Sequence, residues 1–134
     1  MANALYPKFK EALLNGAANT DMSGGTVKAA LVDTGTYTYS AAHEFLSDLS
    51  GTVGTAQTLG TKTFTDGAFN SADPTWPAVT GATVEAIVLY IDTGVAGTSR
   101  LIMYMDTGQT GLPATPNGGD ITYTVGTEWF TLGS

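Results

Sequence analysis

The sequence predicts a mainly β domain: an antiparallel β-sandwich or barrel-like fold with an N-terminal α-helix and one short additional helix. Composition is the first ground for this. Among 134 residues there are 23 threonines and 17 glycines, and only 13% are charged, a balance that favours strands and turns over helices. The second ground is the stretch 83–106, TVEAIVLYIDTGVAGTSRLIMYMD, which reads as two long strands, 83–91 and 100–105, joined by a short polar loop. In the first strand Val84, Ala86, Val88 and Tyr90 fall on one face and Glu85, Ile87, Leu89 and Ile91 on the other. Its middle is therefore apolar on both sides, the pattern of a central strand covered on both faces. In the second strand Leu101, Met103 and Met105 share one face, and Ile102 and Tyr104 the other. Gly94 and Gly97 are expected to supply positive φ in the loop between them.

The other elements follow in chain order. Residues 5–15 (LYPKFKEALLN) predict a helix with Asn3 as N-cap, Pro7 in the first turn and Gly16 as the stop. Leu5, Phe9, Ala12 and Leu13 form its apolar stripe. Residues 17–25 are a polar loop and 26–33 a strand, which Tyr37 and Tyr39 extend or turn away from. Ser40 is expected to cap a short helix over 41–49, with Phe45, Leu46 and Leu49 apolar. Strands are expected at 52–59 and 61–65, and Asp66-Gly67 marks a turn between Phe64 and Phe69. Trp76 stands between Pro74 and Pro77, which confines it to an edge or a bulge. A long polar loop, 107–119, precedes strands at 120–125 and 128–132. The length fits one domain over 1–134, with the helix in 1–16 and the β-rich core in 26–132.

Composition also excludes chemistries. With no cysteine, the chain has no disulfide framework, thiolate metal site or cysteine nucleophile. A net charge of −7 repels phosphate backbones, so no nucleic-acid partner is expected. No apolar run is long enough to span a membrane as a helix, and the N-terminal stretch lacks the pattern of a secretion signal. One histidine, His43, cannot build a His-rich zinc site. No calcium loop or phosphate loop is present, and neither a metal nor a cofactor is expected. Asp-Thr-Gly occurs at 33–35, 92–94 and 106–108, each time after an apolar strand, as in aspartic proteases, where two carboxylates share a proton. Three copies are too many for one site per lobe, and Asp and Gly at strand ends are ordinary turn chemistry. Tyr37, Tyr39 and Trp76 could stack on sugars, although aromatics at strand spacing usually belong to the core.

Several blocks resemble a family of small virion structural proteins encoded by tailed bacteriophages. They include Ala4-Leu5-Tyr6-Pro7-Lys8-Phe9, the run from Val27 to Thr34, the run from Tyr39 to Asp48, Glu85-Ala86-Ile87-Val88-Leu89-Tyr90, Ser99-Arg100-Leu101-Ile102, Gly111-Leu112-Pro113 and the run from Thr115 to Ile121. The resemblance covers most of the chain in order, weakens over 51–81 and after Tyr123, and carries no catalytic residues. It implies a non-enzymatic virion protein, and within that class a capsid decoration or cement protein on the outer shell, made in the host cytoplasm. The partners it implies are the major capsid protein and neighbouring copies of the chain as a homo-oligomer, with no membrane or nucleic acid. The segments expected to touch neighbours, from exposure and length, are the N-terminal helix (Leu5, Phe9, Leu13) and the long loop (Leu112, Pro113, Pro116, Asn117). The alternatives are a tail-associated or receptor-facing binding module and a single-lobe aspartic protease.

Overall fold

The structure is a computed structural model, described here for residues 3–106, 112–125 and 128–131. Among these the elements run β1 (Ala4–Leu5), α1 (Pro7–Leu14), β2 (Thr26–Val32), a 3-10 turn (Leu46–Asp48), β3 (Thr52–Thr58), β4 (Thr63–Thr65), β5 (Ala68–Asn70), β6 (Thr75–Trp76), β7 (Ala86–Asp92), β8 (Leu101–Met105), β9 (Ile121–Thr122) and β10 (Phe130–Thr131). The fold is mainly β and every strand pairing is antiparallel. A five-stranded sheet has the order β1-β8-β7-β2-β3, so it ends in two edges and does not close into a barrel. A three-stranded sheet, β10-β5-β4, and a two-stranded one, β6-β9, complete the architecture.

The apolar alternation of β7 becomes the middle of the large sheet. Residues 86–91 are all buried. On one side β2 runs the full length of β7, from Thr26 opposite Asp92 to Val32 opposite Ala86. On the other, Met105 lies opposite Ile87 and Met103 opposite Leu89. Register and period place Ala30, Val88 and Tyr104 on one face and Ala29, Leu31, Ile87, Leu89 and Met103 on the other. The first face is covered by the connection from β2 to β3. There Tyr39 stacks on Tyr104 at 5.2 Å, and Leu46 and Leu49 line a hollow with Ala30 and Tyr90. Phe9 of α1, Phe69, Trp76 and Trp129 join the same core.

Helix α1 ends as its sequence requires. Gly16 has φ of +61°, its N–H donates to the Leu13 carbonyl, and the Ala17 N–H donates to the Ala12 carbonyl. This is a Schellman closure, which needs a residue that tolerates the left-handed region. The helix begins at Pro7, later than expected, because Ala4 and Leu5 pair with Tyr104 and Met103 instead. Tyr6 is the N-cap and makes no side-chain cap; the side chain of Asn3 accepts the Asp106 N–H at 2.8 Å. The hairpin at Asp66-Gly67 forms as expected. Its two loop residues have φ of +53° and +81°, the type I′ signature that suits right-handed strand twist. In the loop after β7, Gly94 takes positive φ and Gly97 does not.

The helix expected over 41–49 is corrected to one 3-10 turn. A strand-edge pairing wins there. Phe45 bridges to Arg100, the Leu46 N–H donates to the Ser99 carbonyl, and the Leu101 N–H donates to the Glu44 carbonyl. Asp48 then accepts the N–H groups of Glu44 and Phe45, closing the turn. Tyr37 and Tyr39 belong to this covering segment and do not extend β2. The strand expected from residue 83 starts at Ala86, since Val84 pairs with Ala114 of the late loop. The strand expected over 120–125 shrinks to Ile121–Thr122.

Trp76 sits on a short strand, as its flanking prolines require, yet it is fully buried. Its indole N–H donates to the Ala29 carbonyl at 3.1 Å, beside the point where the β2–β3 register shifts. Such an irregularity disturbs the ladder, and the indole supplies a bond there. Trp76→Ala should cost about 3–5 kcal/mol through the cavity it leaves. Trp76→Phe keeps most of the volume but strands the carbonyl, and should cost about 1–3 kcal/mol. Urea unfolding of both variants checks this; a Trp76→Phe variant as stable as the parent would mean that the hydrogen bond contributes nothing.

Candidate interaction surface

The N-terminal helix and the small sheet meet at an open apolar groove of about 330 Å³. Phe9 and Leu13 of α1 line it together with Phe64 and Phe69 of the β4–β5 hairpin, Met22 and Phe130. The phenyl rings support one another: Phe64 stacks on Phe69 at 5.3 Å, and Phe69 tilts against Phe130 at 5.6 Å. Phe64 remains 41% exposed. The polar rim comes from residues 20–23. There Asp21 Oδ1 accepts the Gly24 N–H, the Ser23 N–H and the Ser23 hydroxyl. Those bonds hold its carboxyl below the usual carboxylate range, the Gly24 N–H most of all, so it is ionised at neutral pH. Lys62 donates to the carbonyls of Met22 and Gly25, and its charge adds a smaller effect of the same sign at Asp21.

The residues expected at an interface divide. Phe9 is 2% exposed, so it forms the floor of the groove, and Leu13 is half-buried on its rim. Leu5 is half-buried in β1 and packs against the core. In the late loop, residues 107–111 lie outside the described residues; the remainder is bolted down. Val84 and Ala114 exchange both backbone hydrogen bonds at 2.8 Å, the Val79 N–H donates to the Gly119 carbonyl, and the Gly118 N–H donates to the Val79 carbonyl. Leu112 packs against the core and Pro116 is half-buried, while Pro113 and Asn117 are exposed. The Asn117 side chain is engaged locally, accepting the Gly119 N–H. Direct contact with a neighbour is thus open to Leu13, Pro113 and Asn117 but not to Phe9 as a projecting side chain.

A second cluster gathers Tyr6, the N-cap of α1, with Tyr37, Tyr39, Tyr104 and His43. The hydroxyls of Tyr6 and Tyr37 lie 2.7 Å apart, and the Tyr37 hydroxyl lies 2.7 Å from His43 Nδ1. Tyr6 meets Tyr39 edge-on at 5.1 Å. The Tyr104 hydroxyl donates to Asp106 at 2.9 Å. His43 is therefore a hydrogen-bonded, half-buried residue in the covering segment, not a helical one. Tyr37 and Trp76, expected as sugar-stacking candidates, are both buried and present no free ring face; Tyr39 is half-buried with one face on Tyr104.

The Asp-Thr-Gly triplets build turns. Asp33 accepts the Gly35 N–H and the Thr36 hydroxyl, and Asp92 accepts the Gly94 N–H while pairing with Lys28 at 3.2 Å. These two carboxylates lie at opposite ends of the seven-pair β2–β7 ladder, about 23 Å apart at the usual rise per residue. Asp106 is bound to Tyr104, and the other two residues of its triplet lie outside the described residues. No group of three acidic or histidine side chains that could hold a metal occurs among the described residues, and none of their helices is long and apolar enough to cross a membrane. The groove escaped sequence reasoning because its walls come from three separate segments. The flanking of Asp66-Gly67 by Phe64 and Phe69 was the one local signal for it. No protein-family model matches the chain, and no curated protein matches it.

Burial holds the phenols of Tyr6, Tyr37, Tyr90 and Tyr104 above their usual range, with the Tyr37 hydroxyl adding to the effect at Tyr6 and Asp106 at Tyr104. The folded protein thus keeps protons that the unfolded chain releases above about pH 10. Stability from this source is complete below that pH and falls as pH rises beyond it, because the native state there binds more protons than the unfolded one. The urea midpoint should fall between about pH 9 and about pH 11, and Tyr6→Phe should flatten the decline. A midpoint independent of pH over that window would contradict the assignment.

Proposed function

We propose that this chain is a non-enzymatic structural component of a tailed-phage virion, a decoration or cement protein that binds the outer face of the major capsid lattice and stabilises it. The observation that carries the reading is the open groove, an apolar hollow at the surface of a protein with net charge −7. Contiguous exposed apolar surface on an otherwise polar exterior marks a place where another protein sits. The family resemblance in the N-terminal, central and late blocks says what kind of assembly that protein belongs to. The acidic exterior suits a component that stays soluble and clear of the packaged genome until it docks.

Energetics favour an arrayed component over a tight one-to-one binder. Filling the groove with one aliphatic or aromatic side chain contributes about 1.5–3 kcal/mol, well short of the roughly 8 kcal/mol of a micromolar complex. Repetition over a lattice, and contact between neighbouring copies, converts weak single contacts into stable occupancy. No observation favours the receptor-facing alternative, since Tyr37 and Trp76 are buried. No observation favours the protease alternative either, since the carboxylates of Asp33 and Asp92 are taken up by the turns they close.

Cryo-electron microscopy of particles made from the genome that encodes this chain is the direct test. The expected result is density for the chain in regular array over the capsid, in fixed ratio to the major capsid subunit. Shells lacking the chain should also disassemble at lower temperature and recover when purified protein is added. Density confined to the tail would make it a tail module, and absence from particles would end the virion reading.

A further inference from the structure

The hollow beneath the covering segment, of about 300 Å³, holds the one buried tyrosine that the hydrogen-bonded cluster does not use. Leu46 and Leu49 of that segment line it with Ala30 of β2, Tyr90 of β7, and Val53 and Ala56 of β3. Gly54 lines it too, with φ of +70°, a backbone conformation that disfavours any residue with a side chain. Tyr90 is 6% exposed. The hydroxyls of Tyr6, Tyr37 and Tyr104 all have hydrogen-bond partners, and that of Tyr90 has none. No enclosed polar side-chain atom among the described residues lacks a partner. The Tyr90 hydroxyl therefore meets open space, and the hollow is the space that this residue lines. Burial holds its phenol above the usual range, with Asp92 adding to the effect, so the hydroxyl keeps its proton at neutral pH and can donate it to an acceptor.

We propose that this hollow is a binding site for a small uncharged molecule with an apolar body and one hydrogen-bond acceptor, which the Tyr90 hydroxyl holds. The lining decides the class. No charged side chain lines the hollow, and a charged ligand would lose its hydration there without compensation. The charges nearest in the ladders are already paired with opposite ones: Lys28, opposite Tyr90, with Asp92 at 3.2 Å, and Arg100 with Glu44 at 3.1 Å. Neither sign is left over to recruit an ion. Leucine, valine and alanine side chains offer a water molecule none of the two to four polar partners it needs, whereas an apolar body gains from them. The volume lies at the lower end of small-molecule pockets, which combine an apolar lining with a few placed polar groups. A ligand seated here would touch both the sheet and residues 46–49, and so tie the covering segment down. The inference goes beyond the virion reading and does not depend on it.

The probes are acetophenone, toluene and benzoate, each titrated into the full 15N-labelled chain. Acetophenone supplies a ring and one carbonyl acceptor, toluene the ring alone, and benzoate the ring with a charge. Saturable shifts with acetophenone are expected at the amides of Leu46, Leu49, Val53 and Ala56, with slower hydrogen exchange at the Leu49 amide, which closes the 3-10 turn. Benzoate should give no saturable shift. Tyr90→Phe, which keeps the ring, should weaken acetophenone about three- to tenfold, the loss of one hydrogen bond, and leave toluene unchanged. Ala56→Leu and, separately, Ala30→Leu add volume at residues that line the hollow and should abolish acetophenone binding. Ala56 is half-buried, so its variant should fold even where the one at buried Ala30 does not. The absence of saturable shifts with acetophenone would overturn the proposal. So would benzoate binding as tightly as acetophenone, an equal effect of Tyr90→Phe on acetophenone and toluene, or acetophenone shifts that persist in folded Ala56→Leu.

Discussion

A sheet whose central strand is apolar on both faces must be covered twice, and nearly every other feature of this protein answers that demand. Ile87, Val88, Leu89, Leu101 and Ile102 are fully buried, each contributing about 1.5–3 kcal/mol relative to exposure. The described chain has only one α-helix to spend on covering, and it is eight residues long. Connections must therefore serve as layers. The segment from Tyr37 to Leu49 lies over one face, and the short sheets contribute Phe69, Trp76 and Trp129 to the same core. A loop used as a layer carries backbone groups that need partners. That requirement accounts for the bonds tying Glu44 and Leu46 to the start of β8, and for the carboxylate of Asp48 turned onto two backbone N–H groups.

The tyrosine chain has the same origin. Covering a sheet with tyrosine rather than phenylalanine brings hydroxyls inward, and buried hydroxyls demand hydrogen bonds. Tyr6 meets this through Tyr37, and Tyr37 also reaches the half-buried His43. Among the described residues no buried side-chain polar atom lacks a partner. Arg100 performs a comparable linking task across three segments. It donates to the Ala18 carbonyl, pairs with Glu44 at 3.1 Å and lies 5.0 Å from the centre of the Phe45 ring. Glu44 is 40% exposed, so the ion pair itself is worth at most about 1 kcal/mol. The fixed geometry of the guanidinium matters more than its charge.

Local chemistry made part of this legible in the sequence. Pro7 and Gly16 bound the helix, Asp66-Gly67 turns the hairpin, and the double apolar pattern of β7 marks the centre of the sheet. Each is decided within a few residues. What was not legible is decided between distant ones. Phe45, Leu46 and Leu49 have helical spacing, but an edge of β8 was available to them, and pairing outweighed a short helix that is marginal by itself. Ala4 and Leu5 are too few to announce a strand, and only the opposite positions Tyr104 and Met103 make them one. The expected interface split for the same reason. Phe9 and Leu13 share one helical stripe, yet the hairpin from residues 63–70 decides that one is floor and the other rim.

Shortness of the covering elements also explains why a groove exists at all. The three-residue β4 leaves Phe64 lining a hollow together with Phe9 and Leu13 of α1. A longer β4 or a bulkier residue than Met22 would close that gap and improve the core of the isolated chain. Sheet edges are normally blunted by charge, proline or a covering loop because they invite pairing. Here the edge consists of Thr63, Phe64 and Thr65, with Lys62 before it donating to the carbonyls of Met22 and Gly25 and Asp66 after it in the turn. The edge is thus left uncharged, with an aromatic at its middle beside an apolar hollow.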